Sequence, residues 1–92
     1  MIEREWEWDY AFHSKAEADY PKVVCEEIKA MADEIAELAN LGVDPNEIGK
    51  ETRGTARRHS LPCGGWFETQ ILSRSRPRLI AVVAVVSPPN LR

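Results

Sequence analysis

The 92-residue sequence contains few of the residues that build disulfide-rich, metal-bound or membrane-spanning proteins. Its two cysteines, Cys25 and Cys63, are too few for a disulfide framework, and no cysteine or histidine spacing matches a zinc site. The longest apolar run, residues 79–86, is too short to cross a bilayer. The N-terminus is acidic and has no signal-peptide pattern. These absences predict a cytoplasmic protein with no metal, no cofactor and no membrane partner.

The composition is typical of one globular domain that spans residues 1–92. Hydrophobic residues make up 43% of the chain and charged residues 29%, which argues against wholesale disorder. The net charge is −9 over residues 1–52 and +6 over residues 53–92. The basic part carries its positive charge on seven arginines: Arg53, Arg57, Arg58, Arg74, Arg76, Arg78 and Arg92. This asymmetry indicates either an anionic partner such as nucleic acid, or pairing with the acidic half within the chain or across a dimer.

Residue alternation and helical spacing predict the first half of the fold. Trp6, Trp8 and Tyr10 alternate with the acidic residues Glu7 and Asp9, which indicates a half-buried strand with a solvated acidic face. Apolar residues then recur at spacings of three and four, which predicts an amphipathic helix over residues 21–41. The members of this stripe are Val24, Ile28, Met31, Ile35 and Leu38. The helix is expected to pack on a sheet and to end at the following glycine.

The second half of the sequence predicts one more helix and three strands. Asp44 and Pro45 resemble the cap and first residue of a short second helix. Residues 55–61, 66–72 and 79–86 are the strand candidates, with an arginine-rich hairpin loop at residues 73–77. The last strand is apolar on both faces, which predicts a covered central strand. The fold class is therefore predicted to be α+β, with one long and one short helix packed on a small antiparallel sheet.

This layout resembles the RelE/ParE toxin superfamily of bacterial toxin–antitoxin systems. Three short stretches carry the resemblance. The first is the opening strand and helix, residues 8–12 and 16–24, and the second is the basic strand at residues 57–61. The third is the glycine–aromatic strand at residues 65–71, followed by Arg78, Leu79 and Ile80.

The resemblance implies a toxin or toxin-like protein that acts on RNA or the translation machinery. Some members of that family cleave messenger RNA on the ribosome, whereas others act on gyrase. It implies a metal-independent mRNA endoribonuclease, held inactive by an antitoxin protein. RNA cleavage requires positive charge at the phosphate and groups that transfer protons. The implied catalytic residues are Arg57, Arg58 and Arg78 for charge, with His59 or Glu68 for proton transfer. The implied RNA-binding residues are Arg53, Arg57, Arg58, Arg74, Arg76 and Arg78.

A noncatalytic interaction module is the alternative interpretation. The opposed charges of the two halves favour a homodimer or docking to an acidic protein. Without a catalytic role, Glu68 is expected to form a salt bridge with a cross-strand arginine, and His59 is expected to be a partly exposed polar residue of a strand. The positions of the arginines discriminate the two interpretations. If Arg57, Arg74, Arg76 and Arg78 share one exposed face away from the acidic strand, RNA binding is favoured.

Overall fold

The part of the chain that the structure describes forms one five-stranded sheet with an α-helix packed on one of its faces. The computed structural model describes residues 5–11, 20–52, 54 and 56–91. In chain order, the elements in these ranges are β1 (Trp6–Tyr10), α1 (Lys22–Asn40), β2 (Lys50–Glu51), β3 (Arg57–Ser60), β4 (Trp66–Leu72) and β5 (Arg78–Val86). Two single 3-10 turns occur at Pro45–Glu47 and Pro89–Leu91. The observed fold is therefore α+β, with one α-helix in the described part of the chain.

The sheet is mixed, so the prediction of a small antiparallel sheet was wrong. The strand order is β1-β5-β4-β3-β2, and β2 to β5 pair successively as antiparallel neighbours. Strand β1 pairs with β5 in parallel, with Trp6 opposite Arg78 and Tyr10 opposite Val82. Hairpins fix the relative directions of β3, β4 and β5, but the direction of β1 depends on the long connection through α1. Side-chain alternation indicates which face a residue takes and contains no information about this direction.

The predicted short second helix was also wrong, because that segment forms a single 3-10 turn at Pro45–Glu47. The expected cap is present, since the Asp44 carboxylate accepts a hydrogen bond from the Asn46 backbone N–H at 2.9 Å. The turn ends because Ile48 is already extended and Gly49 has a φ of +90°. The chain needs these residues to enter β2, so no second helical turn can follow.

Helix α1 forms because its apolar side chains recur on one face. Its buried residues are Val24, Ile28, Ala32, Ile35, Ala36 and Ala39. The helix ends in a Schellman motif, in which the Val43 N–H donates to the Leu38 carbonyl at 3.0 Å. Gly42 follows the helix with a φ of +101°, which glycine adopts without a steric cost. The predicted helix limits are confirmed to within one residue at each end.

The hydrophobic core lies between α1 and one face of the sheet. Val24 and Ile28 of the helix pack against fully buried residues of the central strands, which are Phe67, Ile80 and Val82. The N-terminal strand is fixed to the same layer, because the Trp8 indole N–H donates to the Asp33 carboxylate of α1 at 2.7 Å. Residues of β1, β3, β4 and β5 that point toward α1 are therefore enclosed. Their sequence neighbours point to the opposite face.

We expect Gly49→Ala to destabilise the protein by at least about 2 kcal/mol, since it combines left-handed backbone strain with overpacking. A Cβ atom at Gly49 would lie 2.6 Å from Cε1 of the His59 ring. Gly42→Ala is the matched control, because Gly42 also has positive φ but its Cβ would meet no atom within 4 Å. Urea unfolding of the two variants measures the difference. Equal losses of stability would contradict the close packing of Gly49 on His59.

Candidate binding face

The five predicted catalytic residues are divided between the two faces of the sheet. Residues opposite each other in neighbouring strands share a face. Arg57 lies opposite Thr69 and His59 opposite Phe67, on the face that packs against α1. Arg78 lies opposite Trp6 on the same side. Arg58 and Glu68 lie opposite each other on the other face, so these are the two predicted catalytic residues that the fold brings together there.

Arg57 is half-buried and engaged by the chain itself. Its Nε donates to the Ile48 carbonyl at 3.2 Å, and its Nη2 donates to the Gly49 carbonyl. Its Nη1 lies 3.6 Å from the Glu51 carboxylate. These contacts fix the segment that enters β2 against β3. A phosphate would have to displace several of them, so the geometry of Arg57 is that of a structural residue.

His59 is buried and also has a structural environment. Its Nε2 lies 3.0 Å from the Thr69 hydroxyl oxygen in a buried hydrogen bond, and its ring stacks on Phe67 with centroids 4.9 Å apart. Burial lowers the pKa of His59 below its ordinary value of 6.5, and the nearby charge of Arg57 lowers it further. The ring is therefore neutral near pH 7, but with 4% of its surface exposed it is poorly placed to reach a substrate.

Arg78 lies at the other side of the sheet, next to β1. Its Nη1 lies 3.2 Å from the Glu5 carboxylate, and its guanidinium carbon is 5.6 Å from the Trp6 ring centroid. The Arg78 Nε is buried and has no hydrogen-bond partner among the described residues. Arg78, one of the three implied catalytic arginines, is thus paired with an acidic residue just before β1.

The remaining arginines do not complete a shared exposed surface. Arg74 and Arg76 are exposed in the β4–β5 hairpin loop, where Arg76 Nη1 donates to the Ser75 carbonyl at 2.9 Å. Arg53 lies outside the described residues. Because Arg57 and Arg78 point toward the helix side, the exposed arginine face that would have favoured RNA binding is not formed by the described members of that set.

Arg58, Glu68 and Trp66 form a compact cluster on the face that points away from α1. Arg58 donates from Nε and Nη2 to one Glu68 carboxylate oxygen at 3.2 and 3.0 Å, which confirms the cross-strand salt bridge of the alternative interpretation. The Arg58 guanidinium lies 3.8 Å from the Trp66 ring centroid, a cation–π contact. Lys50 lies directly opposite Arg58 in β2. Two like charges opposite each other are unfavourable, and the Glu68 carboxylate offsets this repulsion by pairing with Arg58.

A shallow concave site of about 670 Å³ lies over this cluster. Its lining combines the charged and aromatic groups of the cluster with polar residues of β2 and β3: Lys50, Glu51, Thr52, Ala56, Arg58, Ser60, Trp66 and Glu68. The lining contains both signs of charge, and Glu68 already neutralises Arg58. The site suits the side chains of a partner better than a strongly anionic polymer.

The face that points away from α1, which we call the outer face, carries exposed apolar side chains on β4 and β5. Leu72 is 40% exposed and Val83, the extra residue at the irregularity in the β4–β5 register, is 38% exposed. We use the name outer patch for the six apolar residues on β4 and β5, namely Trp66, Leu72, Leu79, Val83, Ala84 and Val86. Within residues 5–11, 20–52, 54 and 56–91, no helix lies across this patch, because α1 packs on the opposite face. The patch is divided on β4 by the polar residues Gln70 and Glu68, which lie between Leu72 and Trp66 on the same face. Exposed apolar side chains grouped on one face mark interaction sites.

The edges of the sheet are less available than this face. At the β1 edge, the Trp6 N–H donates to the Asn40 side-chain oxygen at 2.8 Å, and the Asn40 amide donates to the Trp6 carbonyl at 3.0 Å. The Asp9 carboxylate accepts from the Tyr10 N–H at 2.8 Å. The opposite edge strand, β2, has two residues. Capped backbone groups and short edge strands both hinder the pairing of a sheet edge with another chain.

Two features of this region were missed in the sequence. Strand β2 was missed because two residues, Lys50 and Glu51, are too short to show alternation, although the flanking Gly49 and Gly54 suggest a bounded segment. Asn40 was missed because a helix residue that caps an edge strand 34 positions away has no local pattern. The last strand was expected to be central and covered because it is apolar on both faces. Strand β5 does lie between β1 and β4, but Val83 on its outer side is 38% exposed.

The described residues contain no group of three or more histidine, cysteine, aspartate or glutamate side chains that could hold a metal ion. No helix in the same residues is long and apolar enough to cross a membrane. Searches of family models, curated proteins and solved structures found no match to the chain. The resemblance to the RelE/ParE superfamily therefore stays a prediction.

We expect the stability of the protein to fall as the pH drops below about 6.5, and His59 to cause part of this fall. The pKa of His59 is lowered in the folded chain, so the unfolded chain binds the proton at a higher pH. The contribution of the neutral ring is complete above pH 6.5 and is lost as the pH falls from 6.5 toward the folded-state pKa. Thermal unfolding of the wild type and His59→Gln between pH 7.5 and 5.5 measures it.

His59→Gln lacks the titrating ring and keeps His13, so it isolates the contribution of His59. The variant is expected to lose less stability than the wild type over this pH interval. Parallel pH profiles would show that His59 titrates alike in both states, contrary to its burial.

Proposed function

We propose that this chain is a noncatalytic interaction module that binds a protein partner through its outer face. The observation that carries the proposal is the outer patch, a set of half-exposed apolar side chains on β4 and β5. When one face of an antiparallel sheet is exposed to solvent, apolar and polar residues normally alternate along its strands. Strand β5 instead has Leu79, Ala84 and Val86 on its outer side, opposite Leu72, Glu68 and Trp66 of β4. Covering this surface is favourable, at about 25 cal/mol for each Å² of apolar area removed from water.

The placement of the charged residues supports binding over catalysis. General acid–base chemistry on RNA needs a proton-transfer group beside positive charge in one accessible place. His59 is enclosed on the helix side, whereas Glu68 is held by Arg58 at 3.0 Å on the outer face. Arg57 and Arg78 are each paired with a carboxylate elsewhere. Each candidate group has a local partner, so the arrangement is better suited to a stable surface than to a reacting centre.

The proposal predicts that Ala84→Arg abolishes partner binding and leaves the fold intact. Ala84 lies opposite Glu68, so the new arginine has a cross-strand carboxylate to pair with. Ala30→Arg is the matched control, since Ala30 is exposed on α1. The wild type and both variants are used as bait in extracts of cells that produce the protein, and bound proteins are quantified by mass spectrometry. At least one protein should be depleted about tenfold or more with Ala84→Arg, on the order expected when a long charged side chain disrupts the packing at the centre of an interface.

Thermal unfolding of both variants controls for loss of the fold, because surface substitutions usually change stability by about 0.5 kcal/mol or less. Equal capture by the three baits would contradict the proposal. Recovery of RNA alone, lost with Ala84→Arg, would also contradict it and would favour the second candidate function.

The second candidate function is a toxin-like action on RNA or the translation machinery, with an antitoxin protein as partner. The observation that favours it is the concave site, where Trp66 offers an aromatic surface and Arg58 and Lys50 offer positive charge. Stacking on an aromatic ring beside cations is a common way to bind single-stranded nucleic acid. Arg58 already covers Trp66 and Glu68 already neutralises Arg58, which leaves Lys50 as the additional cation of this cluster.

Controlled expression in bacteria separates the two functions. The proposed interaction module should leave growth at the rate of an empty-vector culture while the protein accumulates in soluble form. Growth arrest that is relieved by Arg58→Ala or Lys50→Ala, but not by Arg74→Ala in the exposed hairpin loop, would overturn the proposal and support the toxin-like function. Arg74→Ala controls for the loss of one positive charge outside the concave site.

A further inference from the structure

The outer face has opposite charges on its two flanks. On one flank, Glu7 and Asp9 of β1 are exposed, and neither forms an ion pair with another described residue. On the other flank, Lys50 of β2 and Arg58 of β3 are exposed on the same face. The outer patch on β5 and β4 lies between them. Across the strand order, the face therefore runs from the acidic residues of β1, through the outer patch with Gln70 and Glu68 of β4, to the Arg58–Glu68 pair and Lys50.

This arrangement is complementary to itself. We propose that the outer face binds a second copy of this chain, with the two sheets face to face around a two-fold axis parallel to the strands. The inference rests on the proposed function, because it identifies the partner that the outer face takes. An axis in this direction exchanges the two flanks of the sheet. Strand β1 of each copy then lies over β3 of the other, and the two outer patches meet in the middle.

The charges on the two flanks favour the two-fold axis parallel to the strands over one that runs across them. A two-fold axis that runs across the strands would put β1 over β1 and bring four carboxylates together, which is repulsive. With the parallel axis, the acidic flank of each copy meets the basic flank of the other at two equivalent places, as a closed two-fold interface requires. Asp9 lies at the level of Gln70, whereas Arg58 lies at the level of Glu68. Lys50 lies at the same level as Arg58 and forms no ion pair with another described residue. The offset of two residues, about 7 Å along a strand, is within reach of its side chain across sheets packed at about 30°.

A second copy fits this face better than a partner of uniform charge. A polyanion such as RNA would lie against Glu7 and Asp9, and a uniformly basic protein would lie against Lys50 and Arg58. A second copy matches both flanks and also covers both outer patches. The edges do not compete for this role, because Asn40 hydrogen-bonds both backbone groups of Trp6.

Charge reversal on the two flanks tests the inference. Glu7→Lys/Asp9→Lys makes both flanks basic, and Lys50→Glu places an acidic residue on the basic flank. Sedimentation equilibrium should show that the wild type forms dimers and that Glu7→Lys/Asp9→Lys raises the dimer dissociation constant at least about tenfold. A mixture of the two variants should form heterodimers more tightly than either variant self-associates, since opposite charges then meet again.

Glu34→Lys/Glu37→Lys is the matched control, because it changes the net charge equally on exposed positions of α1. It should leave the dissociation constant within about twofold of the wild-type value, as expected for a site outside the interface.

Two results would overturn the inference. A wild-type dimer that Ala84→Arg and the flank reversals leave unchanged would place self-association on another surface. A wild type that stays monomeric at millimolar concentration would exclude the second copy. If the wild type is monomeric but Ala84→Arg captures less of a partner protein than the wild type does, the proposed function stands. Equal capture by all baits would refute both the proposed function and the binding of a second copy.

Discussion

The structure depends on the packing of α1 against one face of the sheet. This contact encloses Phe67, Ile80 and Val82 and supplies the core. It also decides the environment of every strand residue, because neighbours along a strand point to opposite faces. Arg57 and His59 are enclosed on the helix side for this reason, whereas Arg58 between them remains on the outer face. The one-sided packing thus divides the predicted catalytic set and leaves an apolar surface uncovered by the described elements.

The strong charge asymmetry of the sequence is converted into local pairs by this topology. Parallel pairing of β1 with β5 brings Glu5 beside Arg78, and antiparallel pairing brings Glu68 beside Arg58. Exposed pairs of this kind contribute about 0–1 kcal/mol each, so they do not hold the fold together. Their effect is to neutralise part of the basic character that the second half has in the sequence, at Arg58 and Arg78. What remains is a face with an acidic flank and a basic flank.

The sequence predicted the elements that long periodic patterns specify. The limits of α1, β4 and β5 agree with the apolar stripe and the strand candidates to within one residue, and the Asp44 cap is present. The second helix was wrong because the chain turns into β2 directly after residues 45–47. The antiparallel sheet was wrong because the direction of β1 depends on the long connection through α1. Of the predicted catalytic residues, Arg58 and Glu68 meet as cross-strand neighbours. Strand alternation predicts that His59 points to the opposite face from Arg58 and Glu68. The burial of His59 against Gly49 could not be predicted, because it depends on the folded chain.

Side-chain footprinting with hydroxyl radicals tests the central claim, which is that the outer face is covered in the working protein. The side chains of Leu72 and Val83 on the outer patch are compared with Val23 and Leu41, which are exposed in and just after α1. Labelling is carried out on the dilute purified chain and on the protein in an extract of cells that produce it. The account predicts that Leu72 and Val83 are oxidised several-fold more slowly in the extract, with Val23 and Leu41 unchanged. Equal oxidation of the outer patch in both samples would contradict it.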